Sequence, residues 1–427
     1  FDTFPKAAAI LQQYPDIGKA MLLEGQMKGY SSHACGMLLS SSSLNDVCAQ
    51  YNTHDSEGVC SVNGPEAEQL GLLKIDVLSL KTLSVFRSVM DAIGMTDDEY
   101  YTLPLDDELV FDAFRRTQTQ GIFQFEGGAA RETMLRYREL SKVIDLAHIN
   151  ALARPGPLES GVESEFLKRR AGTGTPASIH PVVDAILEPT YGLMVYQEQL
   201  LRVAREVGQL SWADCNALRK AMTKKRGTAE FERVEGDFLR GAVDSGMSEQ
   251  GAQELWESMI TFGGYAFNLS HAVSYSILGY QAMWFKMHYP TEFFAALCAH
   301  EDDPERLRSY LTEFQKDFGG RILPPRVNRS DVQWKAEGSG RLRAGLTAIK
   351  GVGEVLASHI VKHAPYDSAE QLAGLRVSQP TDKNPNRVAL VANVRTMQML
   401  KDAQAFDEED AGNYLGIEEF IKHIRLF

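Results

Sequence analysis

From about residue 79 to about residue 300, the apolar residues of this chain recur almost throughout at helical spacing. Leu80, Leu83, Phe86, Val89 and Met90 open the run. Strand signals are confined to short segments before it, at Met37-Leu38-Leu39 and at Leu72–Leu78, each preceded by a glycine. The pattern predicts an α+β chain that is predominantly α. At roughly 100–200 residues per domain, 427 residues argue for two to four domains. Glu301-Asp302-Asp303-Pro304 reads as a boundary, followed by a smaller module with short helices, a hairpin around 334–346 and a loop at 376–386. Acidic, tyrosine-bearing Thr96–Leu105 reads as a loop. No apolar run reaches the ~20 residues that cross a bilayer. Ala272–Phe285 carries Ser274, Ser276 and Gln281 and reads as a buried helix, so no membrane role is expected.

The chain begins at Phe1 with no signal-peptide pattern, which predicts a cytoplasmic protein and a piece of a longer one. Five cysteines without a CxxC pair predict free thiols in a reducing compartment. The net charge of −13 is unevenly spread. Residues 1–110 hold 6 basic and 16 acidic side chains, 111–240 hold 19 and 17, and 241–427 hold 19 and 24. The middle of an acidic protein therefore still has room for a basic groove.

Alternation along Leu73-Lys74-Ile75-Asp76-Val77 sends the three apolar side chains to one face, suited to burial on helices. Lys74 and Asp76 take the other. A carboxylate beside an ammonium suits phosphate chemistry: the carboxylate holds Mg²⁺ and the lysine neutralises phosphate oxygens. The alternative is an ordinary solvated strand face. A metal pair needs further carboxylates, and no second acidic cluster with strand alternation is found.

Ser211-Trp212-Ala213-Asp214 reads as a helix start with Leu210 as its hydrophobic staple, and Trp212, Cys215, Leu218 and Met222 as a buried stripe. Arg219, Lys220, Lys224, Lys225 and Arg226 follow, with no acidic residue between Asp214 and Glu230. The helix dipole accounts for one or two such cations; five in eight residues point to an anion, and phosphate is the natural one. Farther on, Ile349-Lys350-Gly351-Val352-Gly353 reads as the hairpin of a helix–hairpin–helix, whose second helix start offers backbone N–H groups to a DNA phosphate. The alternative is a plain glycine turn between packed helices. His33, Cys35, Cys48, His54 and Cys60 lack zinc-ligand spacing. Phe267–Tyr275 could stack on a base, or could be a structural helix start.

Seven segments occur in order: LLKIDVLSLKTL (72–83), GIFQFE (121–126), ALARPGPL (151–158), EPTYGLMVYQEQ (188–199), LRKAMTKK (218–225), FNLSHAVSYSILGY (267–280) and AIKGVGE (348–354). Together they resemble the catalytic alpha subunit of bacterial DNA polymerase III, the family-C replicative polymerases. The resemblance implies the end of a thumb (1–25), the C-terminal part of a Pol-beta-like palm (26–86) and large helical fingers (87–300). It also implies a helix–hairpin–helix and clamp-binding-type domain (301–427). By it, Asp76 matches the third catalytic aspartate and a Mg²⁺ ligand, and Lys74 contacts the incoming triphosphate. Arg219 and Lys220 match a triphosphate-binding pair that is usually Arg-Arg, with Arg154, Lys224 and Lys225 in neighbouring motifs. Lys350, Gly351, Val352 and Gly353 would hold duplex DNA. Leu426 and Phe427, in the terminal HIRLF, loosely resemble a peptide that binds the sliding clamp, though its glutamine is lacking.

Departures accompany the match. Leu269 stands where a lysine is typical, and Lys220 keeps the charge of an arginine without its bidentate geometry. The sequence contains no P-D-x-D-x-D-type motif for the first two aspartates, and no PHP or OB-type domain. The resemblance therefore implies a DNA-directed DNA polymerase acting on primer-template DNA and dNTP by two-metal catalysis. The other carboxylates would come from elsewhere, from a longer polymerase of which this chain is a fragment or from a separate N-terminal polymerase chain if the gene is split, and this chain alone would be inactive. The rival reading is a catalytically inactive DNA- or clamp-binding remnant.

Overall fold

A computed structural model describes residues 13–23, 26, 29, 31–33, 35–53, 56–174, 178–224, 229–338, 340–378 and 388–406. The chain divides into two compact units, residues 1–80 and 81–427.

In the first unit, strand β1 (Gly36–Leu39) pairs antiparallel with β4 (Leu73–Asp76), and a smaller ribbon joins β2 (Gln50–Tyr51) to β3 (Val59–Cys60). The β1–β4 register sets Gly36 opposite Asp76 and Leu38 opposite Lys74. Directly opposed residues share a face, so Gly36, Leu38, Lys74 and Asp76 lie together. A short helix, Gly64–Gln69, precedes β4 and starts on a capping box between Asn63 and Glu66. Its Ala67 forms a small core with Cys48 and Leu72, against which Leu38, Leu44, Val47, Cys60 and Val62 pack.

This arrangement overturns one expectation. The apolar face of β4 is the open one: Leu73 is 60% and Ile75 40% exposed, beside Met37 and Leu39, and Val77 is exposed as well. The physical reason is the choice of neighbour. Leu38, on the Lys74 side, turns into the small core, so that side of the ribbon is the covered one.

The second unit is mainly helical, and its described residues form three cores. The first forms around the helix Leu269–His288, which packs on Val143–Leu152, Lys81–Ile93 and Glu108–Arg115. Small residues allow the close approach: a Cβ at Gly279 would sit 2.6 Å from the ring of Phe125, which is fully buried. Lys286 of that helix is fully buried too. Its ammonium donates to the carbonyls of Gln118 (2.9 Å) and Gln120 (2.8 Å) and pairs with Glu313 at 2.9 Å. The same core continues past residue 301. Asp303 caps the helix Pro304–Phe318, whose Leu307, Leu311 and Phe314 join it, as do Ile322, Trp334, Leu342 and Ala344 around a three-stranded sheet. In that sheet β5 (Arg321–Leu323) runs parallel to β7 (Arg341–Arg343), and β6 (Lys335–Ala336) makes the expected hairpin with β7.

The second core gathers the helices Pro181–Leu187, Gln197–Glu206, Trp212–Lys224, Ala229–Asp244 and Glu249–Gly263 around the buried Trp256. The third gathers Val327, Leu346, Ile349, Val352, Ile360, Leu372 and Leu400.

Three local readings change. Asp97–Tyr101 is a short helix, because Thr96 and Glu99 form a capping box at its start. Trp212 is 72% exposed: it stands at the first helical position, off the stripe on which Cys215 and Leu218 are buried. Arg376–Ser378 is a strand paired antiparallel with Val388–Leu390, whereas residues 379–387 lie outside the described ones. Among the described residues, no helix is long and apolar enough to cross a membrane.

Candidate functional site

Strand alternation and the β1–β4 register place Lys74 and Asp76 side by side at the end of a two-stranded ribbon. The Lys74 ammonium lies 2.9 Å from Asp76 Oδ1 and donates to Oδ2 at 3.1 Å. The pair keeps contact with water, the Asp76 side chain being 45% exposed. The Lys74 hydrogen bond holds the Asp76 carboxyl below the usual carboxylate range. The carboxylate raises the Lys74 ammonium in return. Both groups are therefore charged at neutral pH. Gly36, opposite Asp76, leaves the room they use: a Cβ there would lie 3.0 Å from His33 Nδ1 and 3.1 Å from Lys74 Cε.

His33 is a member of this site that residue spacing did not reveal. Its Nδ1 accepts the backbone N–H of Gly36 at 2.8 Å and that of Cys35 at 3.2 Å, tying the turn into β1. Ligating atoms of His33, Cys35 and Asp76 lie within 4.8 Å of one another. An imidazole whose Nδ1 accepts two backbone N–H groups is committed to the backbone, and its neutral form carries the proton on Nε2. The chemistry of the set is thus that of one ionised oxygen donor, Asp76, flanked by donors. That fits a hard cation such as Mg²⁺, with its other ligands from elsewhere, better than zinc. His54 lies outside the described residues.

In the second unit, Ser211 and Asp214 start the helix Trp212–Lys224, the Ser211 hydroxyl accepting the Asp214 N–H at 3.1 Å. Arg219 and Lys220 are both exposed on it, and Arg219 is steadied by Asn216 Oδ1 at 2.9 Å. Lys224 is the last helical residue; Lys225 lies outside the described residues.

Arg154 is separate in sequence from that helix and is built differently. It caps the short helix Pro155–Glu159, and its guanidinium lies 4.3 Å from the centre of the Phe267 ring, a cation–π contact. Partial burial lowers its pKa, and burial together with Arg154 lowers that of His271, the residue whose N–H caps on Asn268. Phe267, His271 and Tyr275 form a run of ring contacts, with centroids 5.4 and 4.2 Å apart. Phe267 thus has its face covered by a guanidinium.

The Gly351 turn departs from the expected motif in its first limb. Leu346–Ala348 is a single 3₁₀ turn, followed by Gly351 at φ +87° and by Gly353 as the N-cap of the helix Glu354–His363. Ile349 and Val352 anchor the hairpin in the third core, and Lys350 is exposed beside it. The amides that begin the second helix have no side-chain cap, which suits a phosphate. Leu426 and Phe427 lie outside the described residues.

Three family models match the chain. Residues 4–79 match the bacterial DNA polymerase III alpha NTPase domain, 82–246 the bacterial DNA polymerase III alpha subunit finger domain, and 319–413 a helix-hairpin-helix motif. Among curated relatives, the DNA polymerase III subunit alpha of Aquifex aeolicus is 33% identical over 414 residues, or 95% of this chain and 35% of the relative. The Thermus aquaticus protein of the same name is 36% identical over 401 residues, 91% of this chain and 32% of its own length. That of Neisseria meningitidis is 31% identical over 431 residues, 95% and 37%. The chain belongs to the bacterial DNA polymerase III alpha subunit family. It spans about a third of the length of the curated relatives it matches.

Within the polymerase III alpha family frame, Lys74 and Asp76 fall in the segment matched by the NTPase-domain model, and Arg154, Arg219 and Lys220 in the segment matched by the finger model. The structure brings Lys74, Asp76 and His33 together in one unit, and in the other sets Arg154 against Phe267 and His271.

Proposed function

We propose that this chain carries part of the active site of a replicative, template-directed DNA polymerase, transferring a nucleotide from dNTP to a primer 3′-hydroxyl. The observation that carries the reading is the Lys74–Asp76 pair, 2.9 Å apart on one face of β4 with Gly36 opposite. Asp76 would be one oxygen ligand of Mg²⁺, and the ion when bound would neutralise charge at the reacting phosphate. Lys74, released from Asp76, would pair with triphosphate oxygens. Arg154, Arg219, Lys220, Lys224 and Lys225, in the second unit, would be triphosphate-binding cations, stabilising the charge that moves onto pyrophosphate as the primer oxygen attacks the alpha-phosphate. The Lys350–Gly353 hairpin would hold the duplex by its phosphates. Leu426 and Phe427 would reach a sliding clamp, and the protein would work in the cytoplasm.

One carboxylate cannot compose a two-metal site, so the remaining aspartates would lie outside this sequence, in the rest of a longer protein or in a separate N-terminal polymerase chain. Primer extension tests this. The chain alone extends nothing. Added to a chain bearing the P-D-x-D-x-D segment it extends primers, and Asp76→Ala abolishes the product. Extension by the chain alone would refute the shared-carboxylate argument. Failure with a folded partner would leave the DNA-binding hairpin as the function.

A further inference from the structure

The buried ion pair between Lys286 and Glu313 leaves one oxygen over. Lys286 has three N–H bonds to give, and the carbonyls of Gln118 and Gln120 and Glu313 Oε1 take all three. Glu313 is 7% exposed, and its second carboxylate oxygen, Oε2, has no hydrogen-bond partner among the described residues. A buried acceptor left unpaired is costly, and folded proteins keep few of them. Glu313 stands in the wall of a cavity of about 450 Å³, built from the helices Gly128–Arg136 and Pro304–Phe318 and from the segment that carries Thr117 and Gln120. Thr117 holds a left-handed φ of +56° just past the end of the helix Glu108–Arg115, where glycine is the usual residue. A β-branched side chain is thus kept in this wall against the preference of its own backbone.

The charges around the cavity indicate what kind of molecule enters. Arg131, Arg308 and Lys316 are matched by Glu305, Glu313 and Asp317, three cations against three anions, and the other lining groups are hydroxyls and an amide. With no aliphatic or aromatic side chain among the described lining residues, a nucleobase or an apolar ligand finds no surface to stack on. The three acids do not converge as metal ligands would, such a cluster forming among the described residues only at His33, Cys35 and Asp76. Arg131 donates from Nε to Thr119 Oγ1 at 3.1 Å, and its two terminal nitrogens have no partner among the described residues. It is near enough to Glu313 for its charge to oppose the rise that burial gives that carboxyl. A free carboxylate oxygen needs a donor, and a free guanidinium edge needs an anion. A small molecule that carries both is a zwitterion.

We propose that this cavity binds a free α-amino acid with a polar side chain, its ammonium donating to Glu313 Oε2 and its carboxylate paired with Arg131. The ligand bridges the helix Gly128–Arg136, which carries Arg131, to the helix Pro304–Phe318, which carries Glu313. The site is apart from the Arg154–His271 group. Lys286 stands 15 residues beyond His271 on the same helix, ~22 Å along its axis. Nothing in the inference depends on the polymerase reading.

Calorimetric titration of the full chain with L-serine and with L-glutamine reads the binding. The N-acetyl derivative of the tighter ligand has no ammonium, and its methyl ester has no carboxylate; each should bind about tenfold more weakly than the parent. Glu313→Gln keeps an acceptor for Lys286 but sets an N–H₂ group where Oε2 was, and Arg131→Gln removes the guanidinium. Each variant should weaken the parent ligand about tenfold. Should Glu313→Gln fail to fold, Lys286→Met/Glu313→Leu replaces the ion pair by apolar side chains and should lose the ligand while still melting cooperatively. Added dATP should not displace the amino acid. Binding of neither amino acid would overturn the proposal and leave Oε2 to water. A blocked derivative that binds as well as its parent would overturn it too, as would wild-type affinity in folded Arg131→Gln. Displacement by dATP would place the ligand at the Arg154–His271 group instead and would equally sink it.

Discussion

Gly351 is where the third core and the proposed DNA grip depend on one missing side chain. Substituting alanine imposes two costs. A φ of +87° is left-handed, which costs an alanine ~1–2 kcal/mol. The new methyl would also lie 2.5 Å from Met399 Sδ and 2.9 Å from its Cε. A thioether is flexible and half-buried here, so displacing it belongs at the low end of overpacking, ~1 kcal/mol. Together Gly351→Ala should cost about 2–3 kcal/mol. For a module of this size that lowers the melting midpoint by about 10–20 °C. Differential scanning calorimetry reads the loss, and fluorescence anisotropy with a duplex reads the DNA affinity, which should fall with it. Adding Met399→Ala separates the two costs: it removes the collision and leaves the backbone conformation unpaid for. The reasoning fails if Gly351→Ala shifts the midpoint by less than about 2 °C. It fails equally if the double variant recovers all of the loss, since the φ cost would then be nil.

Lys286→Met should destabilise by roughly 3–5 kcal/mol in thermal unfolding, because it strands the Glu313 carboxylate in the core, and Lys286→Met/Glu313→Leu should recover much of that. Burial pushes the Lys286 ammonium down to about 8 against 10.5 for the free side chain, so the unfolded chain binds more protons between those values. This group's contribution to stability is therefore fully present above pH ~10.5 and is lost as pH falls through ~8, a slope that denaturant midpoints should show in the wild type and lose in Lys286→Met. His33→Asn, whose Oδ1 can take the place of Nδ1, should restore most of the complemented primer extension lost in His33→Ala; equal loss in both would contradict the turn-fixing role.

The sequence made the Lys74–Asp76 face legible because strand alternation is a property of the backbone alone, and the register then only had to supply Gly36 opposite. Which side of the ribbon becomes covered is not such a property. It depends on Leu38 and the helix Gly64–Gln69, so the exposure of Leu73 and Ile75 could not be read from β4 itself. The capping box at Thr96 and Glu99 was written in the sequence, yet the polar, tyrosine-bearing stretch around it looks like a loop until the cap is given weight. Trp212 was misplaced because the first position of a helix is not yet on its buried stripe. His33 showed only as one of a His/Cys cluster without zinc-ligand spacing; that it folds back onto the amides of the turn into β1, beside Asp76, depends on contacts that spacing does not carry.

The continuity of the first core past residue 301 bears on how the chain is divided for experiment. A cut at the acidic Glu301–Asp303 stretch would send Phe285 and Phe294 off with one piece and Phe314, Ile322 and Leu342 with the other, opening an oily seam on both. It would also part Lys286 from Glu313. A break near residue 345 spares both, but it would part Val327 from the third core, where its N–H donates to the Ala405 carbonyl at 2.8 Å, so the two cores are tied across either cut.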